Sequence, residues 1–287
     1  MLIPSSELLE NARKGHYAVG AFNIYNLEGV TAVIAAAETC RSPVILQILP
    51  SALELGGTSL IALALEAGRT ASVPVSVHLD HCGNKDTIRT ALDANISSVM
   101  ADGSHLPYDD NVAFTREIMQ MACARDASVE AELGRLSGTE DGLTIAEYEA
   151  CLTDPDQASH FVRTTGVHAL AVCIGNIHGK YSSEPEFDFQ RLKTIRDNVS
   201  VPLVLHGTSG VPDDMIRQSI ELGVCKFNIN TDIRSAYIEA AREYLKESES
   251  PELVGLMQTV IHAMKVPVMS KMALFGSEGK GDRDIKA

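Results

Sequence analysis

The chain has 287 residues, of which 45% are hydrophobic and 22% charged. That length suits one large α/β domain or two smaller ones, and 21 Gly with 11 Pro exclude a collagen-like or low-complexity chain. A formal net charge of -14, no Trp and only 5% aromatic residues argue against nucleic acid as a partner. An acidic surface repels phosphate backbones, and the rings needed to stack bases are scarce.

In chain order, apolar runs at 18–22, 43–48, 75–79, 98–101, 128–132, 169–174, 201–205 and 225–229 read as strands. Helical patterns fall between several of them, at 27–39, 60–67, 109–124, 212–222 and 236–245. Strand–helix alternation repeated about eight times predicts a parallel sheet with helices outside. A closed (β/α)8 TIM barrel, one α/β domain over residues 1–287, accounts for count and length. An open doubly wound sheet is the alternative, but no G-x-G-x-x-G opens a helix.

The segment 133–144, with Gly134, Gly138 and Gly142, is the longest without a strand or helix pattern and reads as an active-site lid or a disordered bridge. The Gly- and charge-rich tail 276–287 is expected to fray. Cys40, Cys82, Cys123, Cys151, Cys173 and Cys225 are scattered, which suits reduced thiols in a cytoplasmic protein. Residues 1–13 carry Glu7 and Glu10 in an amphipathic pattern unlike a signal peptide. No uninterrupted apolar stretch approaches the ~20 residues of a bilayer span, so no membrane is expected.

In a barrel, reactive groups collect where strands end. The third strand ends in His78-Leu79-Asp80-His81 and the fourth at Asp102. The fifth ends in Glu130-Ala131-Glu132, and the sixth leads to His178-Gly179-Lys180. The seventh leads into His206-Gly207-Thr208-Ser209-Gly210 and the eighth into Asn228-Ile229-Asn230-Thr231. His81, His178 and His206 follow different strands on one rim, and three neutral imidazoles suit a catalytic zinc. Each alone reads more readily as a hydrogen-bonding loop histidine, and the three together on one rim favour the metal. His78 reads as a core histidine; His16, His160, His168 and His262 read as surface residues; His105 is undecided. Asp80, beside a candidate ligand, suits proton transfer or the orienting of an imidazole. Asp102 and Glu132 suit a second cation, divalent or monovalent, or plain rim ion pairs. Gly179, Gly207 to Ser209 and Asn228 to Thr231 offer backbone N–H groups and hydroxyls to a phosphate. No strand-end lysine looks buried, which argues against a Schiff base.

These segments resemble the class II, zinc-dependent ketose-bisphosphate aldolases, in order and over nearly the whole chain. Glu140-Asp141-Gly142 and Lys271-Met272-Ala273-Leu274-Phe275-Gly276-Ser277 add to the likeness. Within that family, Glu132-Leu133-Gly134-Arg135-Leu136 and Asp188-Phe189-Gln190-Arg191-Leu192 look nearest to tagatose-1,6-bisphosphate aldolases, with fructose-bisphosphate aldolases the alternative. The resemblance implies zinc on His81, His178 and His206, and Asp80 acting on the aldehyde oxygen. It implies Glu140 moving a proton on the dihydroxyacetone phosphate carbon. Substrate binding then falls to Asn23, Gly179, Gly207, Thr208, Ser209, Asn228, Ile229, Asn230 and Thr231. It also implies sugar-phosphate substrates and a homodimer or homotetramer. A zinc hydrolase on the same barrel and a non-catalytic sugar-phosphate sensor are the competing readings.

Two departures concern the distal end of the substrate. Leu49 stands where many members have Ser or Thr, and Glu249-Ser250-Pro251-Glu252-Leu253-Val254 replaces an arginine-bearing segment. Arg234 remains as a candidate distal anion contact, with Lys246 and Lys265 as substitutes. A ketose 1-phosphate with an unphosphorylated distal end is therefore an alternative substrate.

Overall fold

The computed structural model describes residues 1–136, 138–140, 143–145, 151–177 and 184–282, with backbone alone at 138–140 and 143–145. Eight parallel strands close into a barrel in the order β1-β10-β9-β8-β5-β4-β3-β2. They are β1 Val19–Asn23, β2 Val44–Ile48, β3 Val75–Cys82, β4 Ser98–Ala101, β5 Ser128–Leu133, β8 Ala169–Val172, β9 Leu203–Leu205 and β10 Val224–Ile229. The expected TIM barrel is the observed fold. The strands stood out in the sequence because parallel strands covered on both faces are nearly continuous apolar runs.

Two apolar cores follow from strand alternation. Outward residues such as Phe22, Leu46, Leu79, Val99 and Phe227 pack under the helices. Inward residues Val19, Ala21, Ile45, Ala169, Ala171 and Val204 fill the barrel with Leu8, Leu9 and Ala12 of α1 (Ser5–Gly15), which plugs its N-terminal end. Two residues beyond these apolar positions the same parity brings Asn23, Gln47 and His206 inward, all buried. The barrel is thus greasy at its base and polar at its C-terminal mouth.

Several helices match the sequence pattern: α2 Leu27–Cys40, α5 Tyr108–Cys123, α8 Asp213–Glu221, and α9 Thr231–Glu247, which extends the pattern at 236–245. The pattern at 60–67 is part of α3 Pro50–Thr70, kinked at Gly57, where φ is 59°. Four helices carried no expectation: α4 Lys85–Asp93, α6 Pro155–Thr165, α7 Phe189–Asn198 and α10 Leu253–Leu274. The segment 133–144 is corrected: β6 Gly138–Glu140 pairs antiparallel with β7 Leu143–Ile145, Glu140 opposite Leu143. The overlooked signal is Asp141-Gly142, the composition of a two-residue hairpin turn.

The frayed tail is also corrected for 276–282. The Gly279 and Gly281 N–H groups donate to Cys40 and Arg41 carbonyls, and Ser277 is fully buried against Ser42. Residues 283–287 lie outside the described residues. Among the described residues α10 alone is long and apolar enough on average to cross a membrane, although Gln258, His262, Lys265 and Lys271 interrupt its apolar run. In this fold it lies against the barrel's helical layer, with Val260, Met264, Val268 and Met272 buried and Leu253, Val254 and Val266 exposed.

Candidate active site

The site begins with an irregularity in β3. Strand alternation points His78 and Asp80 into the barrel and would turn His81 outward. Pairing with β4 shifts between Leu79 and Cys82, and His81 takes a φ of 40°. Left-handed backbone is costly for a residue with a Cβ, and bulges re-aim side chains in this way. As a result Asp80 and His81, though consecutive, join one cluster with His206.

Asp80 is fully buried and held by three amides. Its Oδ2 accepts from Asn23 Nδ2 at 3.1 Å and Gln47 Nε2 at 3.0 Å; its Oδ1 accepts from Asn228 Nδ2 at 3.0 Å. Asn23 also accepts from Gln47 at 2.8 Å, so its side chain braces Asp80 from the first strand. His81 Nδ1 lies 2.8 Å from Asp102 Oδ2, whose other oxygen accepts from Ser104 N–H and hydroxyl. His206 Nε2 lies 2.9 Å from Glu130 Oε1, and its Nδ1 is 3.3 Å from Glu132 Oε2. The two imidazole rings meet edge-on, 4.5 Å between centroids.

Burial alone would lower the pKa of His81, but Asp80, Asp102 and Glu132 outweigh it and raise the value well above the ordinary one. Burial and His81 lower His206, and Glu130 and Glu132 more than offset them. Burial raises Asp102, yet the bonds from His81 and Ser104 leave its pKa below the usual carboxylate range. His78 is pushed down to about 4 by burial and Lys226; it is the expected core histidine, 2.7 Å from Ser98 Oγ.

The donor set fits a divalent metal. Asp80, His81 and His206 bring ligand atoms within 4.8 Å of one another, and His81, Asp102 and Glu132 do the same. Imidazoles and carboxylates are the ligands zinc accepts, and a carboxylate on the far ring nitrogen is the usual partner of a metal-binding histidine. Asp102 supplies that partner to His81 and Glu130 to His206. His178 and Gly179 lie outside the described residues; Glu140 is placed by its backbone in β6.

Around this cluster stand the other candidates. Gly207 has a φ of 63°, and Thr208 is buried, 3.4 Å from the Asn228 carbonyl; Ser209 follows in the same turn. Ile229 ends β10 and packs outward in the core. Asn230 precedes α9 and accepts from Tyr25 at 2.8 Å, its side chain making no cap bond to the helix that Thr231 opens. Arg234, in the first turn of α9, lines a cavity of about 210 Å³ with Asn23, Tyr25, Ile233, Tyr237 and Met264. His16, His105, His160 and His262 are exposed; His168 is half-buried and accepts from Val129 N–H.

The structure corrects one premise and adds residues. Lys226 is a buried lysine on β10, 1% exposed and 3.0 Å from Glu130 Oε2. Pairing between β10 and β9 shifts between Val224 and Lys226, which brings Lys226 and Asn228 inward. Gln47 and Glu130 were likewise unassigned, although two-residue spacing from Ile45 and to Glu132 marks both as inward. Asn176 ties the loop after β8 to the site by donating to the His206 carbonyl at 3.0 Å.

The sequence matches the model of the family described as fructose-bisphosphate aldolase class-II over residues 4–280. Among solved structures, the YdjI aldolase from Escherichia coli K12 is 36% identical, with a TM-score of 0.88 over 98% of this chain and 100% of that one. A putative fructose-1,6-biphosphate aldolase from Coccidioides immitis is also 36% identical, with a TM-score of 0.91 over 96% of each chain. Fructose-bisphosphate aldolase from Campylobacter jejuni, 24% identical with a TM-score of 0.81 over 97% of each chain, shares the fold. From its first barrel strand to the end of its last helix, this chain belongs to the class II fructose-bisphosphate aldolases, carbon–carbon lyases of a generally metal-dependent family.

Proposed function

We propose that the protein cleaves a ketose 1,6-bisphosphate, tagatose 1,6-bisphosphate first and fructose 1,6-bisphosphate second, to dihydroxyacetone phosphate and glyceraldehyde 3-phosphate. The observation that carries this reading is Asp80, fixed by three amides beside His81 and His206. His81, His178 and His206 would hold a zinc ion, which would supply Lewis-acid polarisation of the substrate carbonyl. Asp102 and Glu132 are the residues that would take a second cation.

Asp80 accepts the C4 hydroxyl proton as the C3–C4 bond breaks. Its amide donors hold the carboxylate in place and cost no reorganisation during the step. Glu140, from the hairpin after β5, returns a proton to the carbon left on the dihydroxyacetone half. Gly179, Gly207, Thr208, Ser209 and Asn228 to Thr231 bind the phosphate of that half, the start of α9 contributing backbone N–H groups. The protein works on sugar phosphates in the cytoplasm as a homodimer or homotetramer. Exposed Ile238 and Leu245 on α9 and Leu253, Val254 and Val266 on α10 support self-association.

A second reading has a specific observation behind it. The cavity beside Asn23 is mostly apolar, with Tyr25, Ile233, Tyr237, Ile238 and Met264 around Arg234, and Leu49 is buried at the end of β2. Such a lining suits a distal end without a phosphate. The experiment is kcat/KM for tagatose and fructose 1,6-bisphosphates and their 1-phosphates. The bisphosphate reading expects a preference of about a hundredfold or more, roughly 2.7 kcal/mol of transition-state discrimination. Equal or better turnover of a 1-phosphate transfers the assignment to the second reading, and no dihydroxyacetone phosphate from any of the four refutes both.

A further inference from the structure

Lys226, paired with Glu130, has no part in the chemistry above. Both side chains are almost wholly buried, and Lys226 Nζ lies 3.0 Å from Oε2 and 3.2 Å from Oε1 of Glu130. A buried ion pair is a poor source of stability, because desolvation consumes much of the Coulomb gain. Its place in the network suggests what it does instead.

Lys226 has two arms. On one side Nζ donates to Asn228 Oδ1 at 2.5 Å, and Asn228 Nδ2 donates to Asp80 Oδ1 at 3.0 Å. An ammonium has only donors, so it can face only the oxygen of the Asn228 amide. That fixes the amide's orientation and turns its N–H toward Asp80. On the other side Nζ grips both oxygens of Glu130, and Oε1 of that side chain lies 2.9 Å from His206 Nε2. The ring is thereby oriented with Nδ1 on the side of Glu132 and the metal cluster.

We infer that Lys226 is a positioning residue that sets the Asn228 amide against Asp80 and, through Glu130, the ring of His206. It forms no bond to substrate. Asp80 and the metal site are thereby coupled through one buried ammonium. The inference rests on the proposed aldolase chemistry, but its metal arm needs no substrate.

The test uses full-length Lys226→Met, Lys226→Arg, Asn228→Ala, the Lys226→Met/Asn228→Ala double variant and a Lys226→Met/Glu130→Gln pair that removes both buried charges. Zinc affinity is measured by titration into chelated protein, the cobalt-substituted absorption spectrum is recorded, and kcat and KM for cleavage are determined. For Lys226→Met the expected result is a kcat about 100-fold lower with KM within threefold, zinc affinity weakened about tenfold and a changed cobalt spectrum. Lys226→Arg should recover at least tenfold of the kcat. Adding Asn228→Ala to Lys226→Met should cost little more, because the two act in one chain. A folded Lys226→Met with kcat and zinc affinity within threefold of the parent overturns the inference. So do losses that multiply independently with Asn228→Ala. If Lys226→Met does not fold, the charge-free pair decides: parental kcat and cobalt spectrum in it, or failure of it also to fold, assigns Lys226 a structural role alone. Failure of the parent to cleave any ketose phosphate counts against the proposed function, while the zinc and cobalt measurements still test the positioning.

Discussion

His206→Ala is expected to lose bound metal and aldol cleavage together while keeping the barrel. The ring sits in the middle of the cluster, 2.9 Å from Glu130 and 3.3 Å from Glu132, with His81 edge-on against it. Losing even an outer partner of a metal ligand typically costs about 10–100-fold in affinity, so a lost ligand should cost more. The expected fall in kcat/KM is at least about 10³-fold, roughly 4 kcal/mol, the scale of a removed charge-stabilising group. His81→Ala should behave alike and in addition release Asp102. Metal content by elemental analysis, with circular dichroism to show the fold, checks both. A His206→Ala protein that keeps stoichiometric metal and full activity removes His206 from the ligand set.

The second large effect separates the two carboxylates. Asp80→Ala should abolish cleavage with metal still bound, yet spare much of the exchange of a dihydroxyacetone phosphate proton with solvent. That half-reaction has no aldehyde, and the proton on the dihydroxyacetone carbon is the work assigned to Glu140. Glu140→Ala should lose exchange and cleavage together. Each amide of Asn23, Gln47 and Asn228 left without its acceptor costs about 1–3 kcal/mol, so Tm should fall in Asp80→Ala and stay near the parent's in Glu140→Ala. Exchange lost as completely in Asp80→Ala as in Glu140→Ala makes the division of roles wrong.

Why some features were legible in the sequence has physical causes. The barrel strands were visible because burial on both faces makes them apolar runs ending in polar residues. The rim set was visible because barrel geometry sends each strand end to one mouth, and Asp80, His81, Asp102, Glu132 and His206 do meet there. What was hidden depends on broken alternation. His81 faces Asp80's side only through its positive φ and the register shift in β3. Lys226 turns inward only after the shift in β10, so its strand looked like an apolar run with a stray lysine. Helix α10 was hidden for another reason: it is apolar around much of its surface and holds Pro267, so neither helical periodicity nor a clean start marks it. Asn23, expected at the substrate, contacts Asp80 and Gln47, a bond across three strands that no local pattern encodes.

The central claim is that cleavage runs on a metal held at the barrel mouth and not on a lysine, and the buried Lys226 makes the distinction sharper. Exhaustive chelation followed by readdition of zinc or cobalt, with borohydride added during turnover and the protein weighed by mass spectrometry, tests it most directly. The account predicts activity lost on chelation and restored by metal, with no covalent adduct after borohydride. A substrate-derived adduct on Lys226 or another lysine, or cleavage that persists in protein stripped of metal, would contradict it.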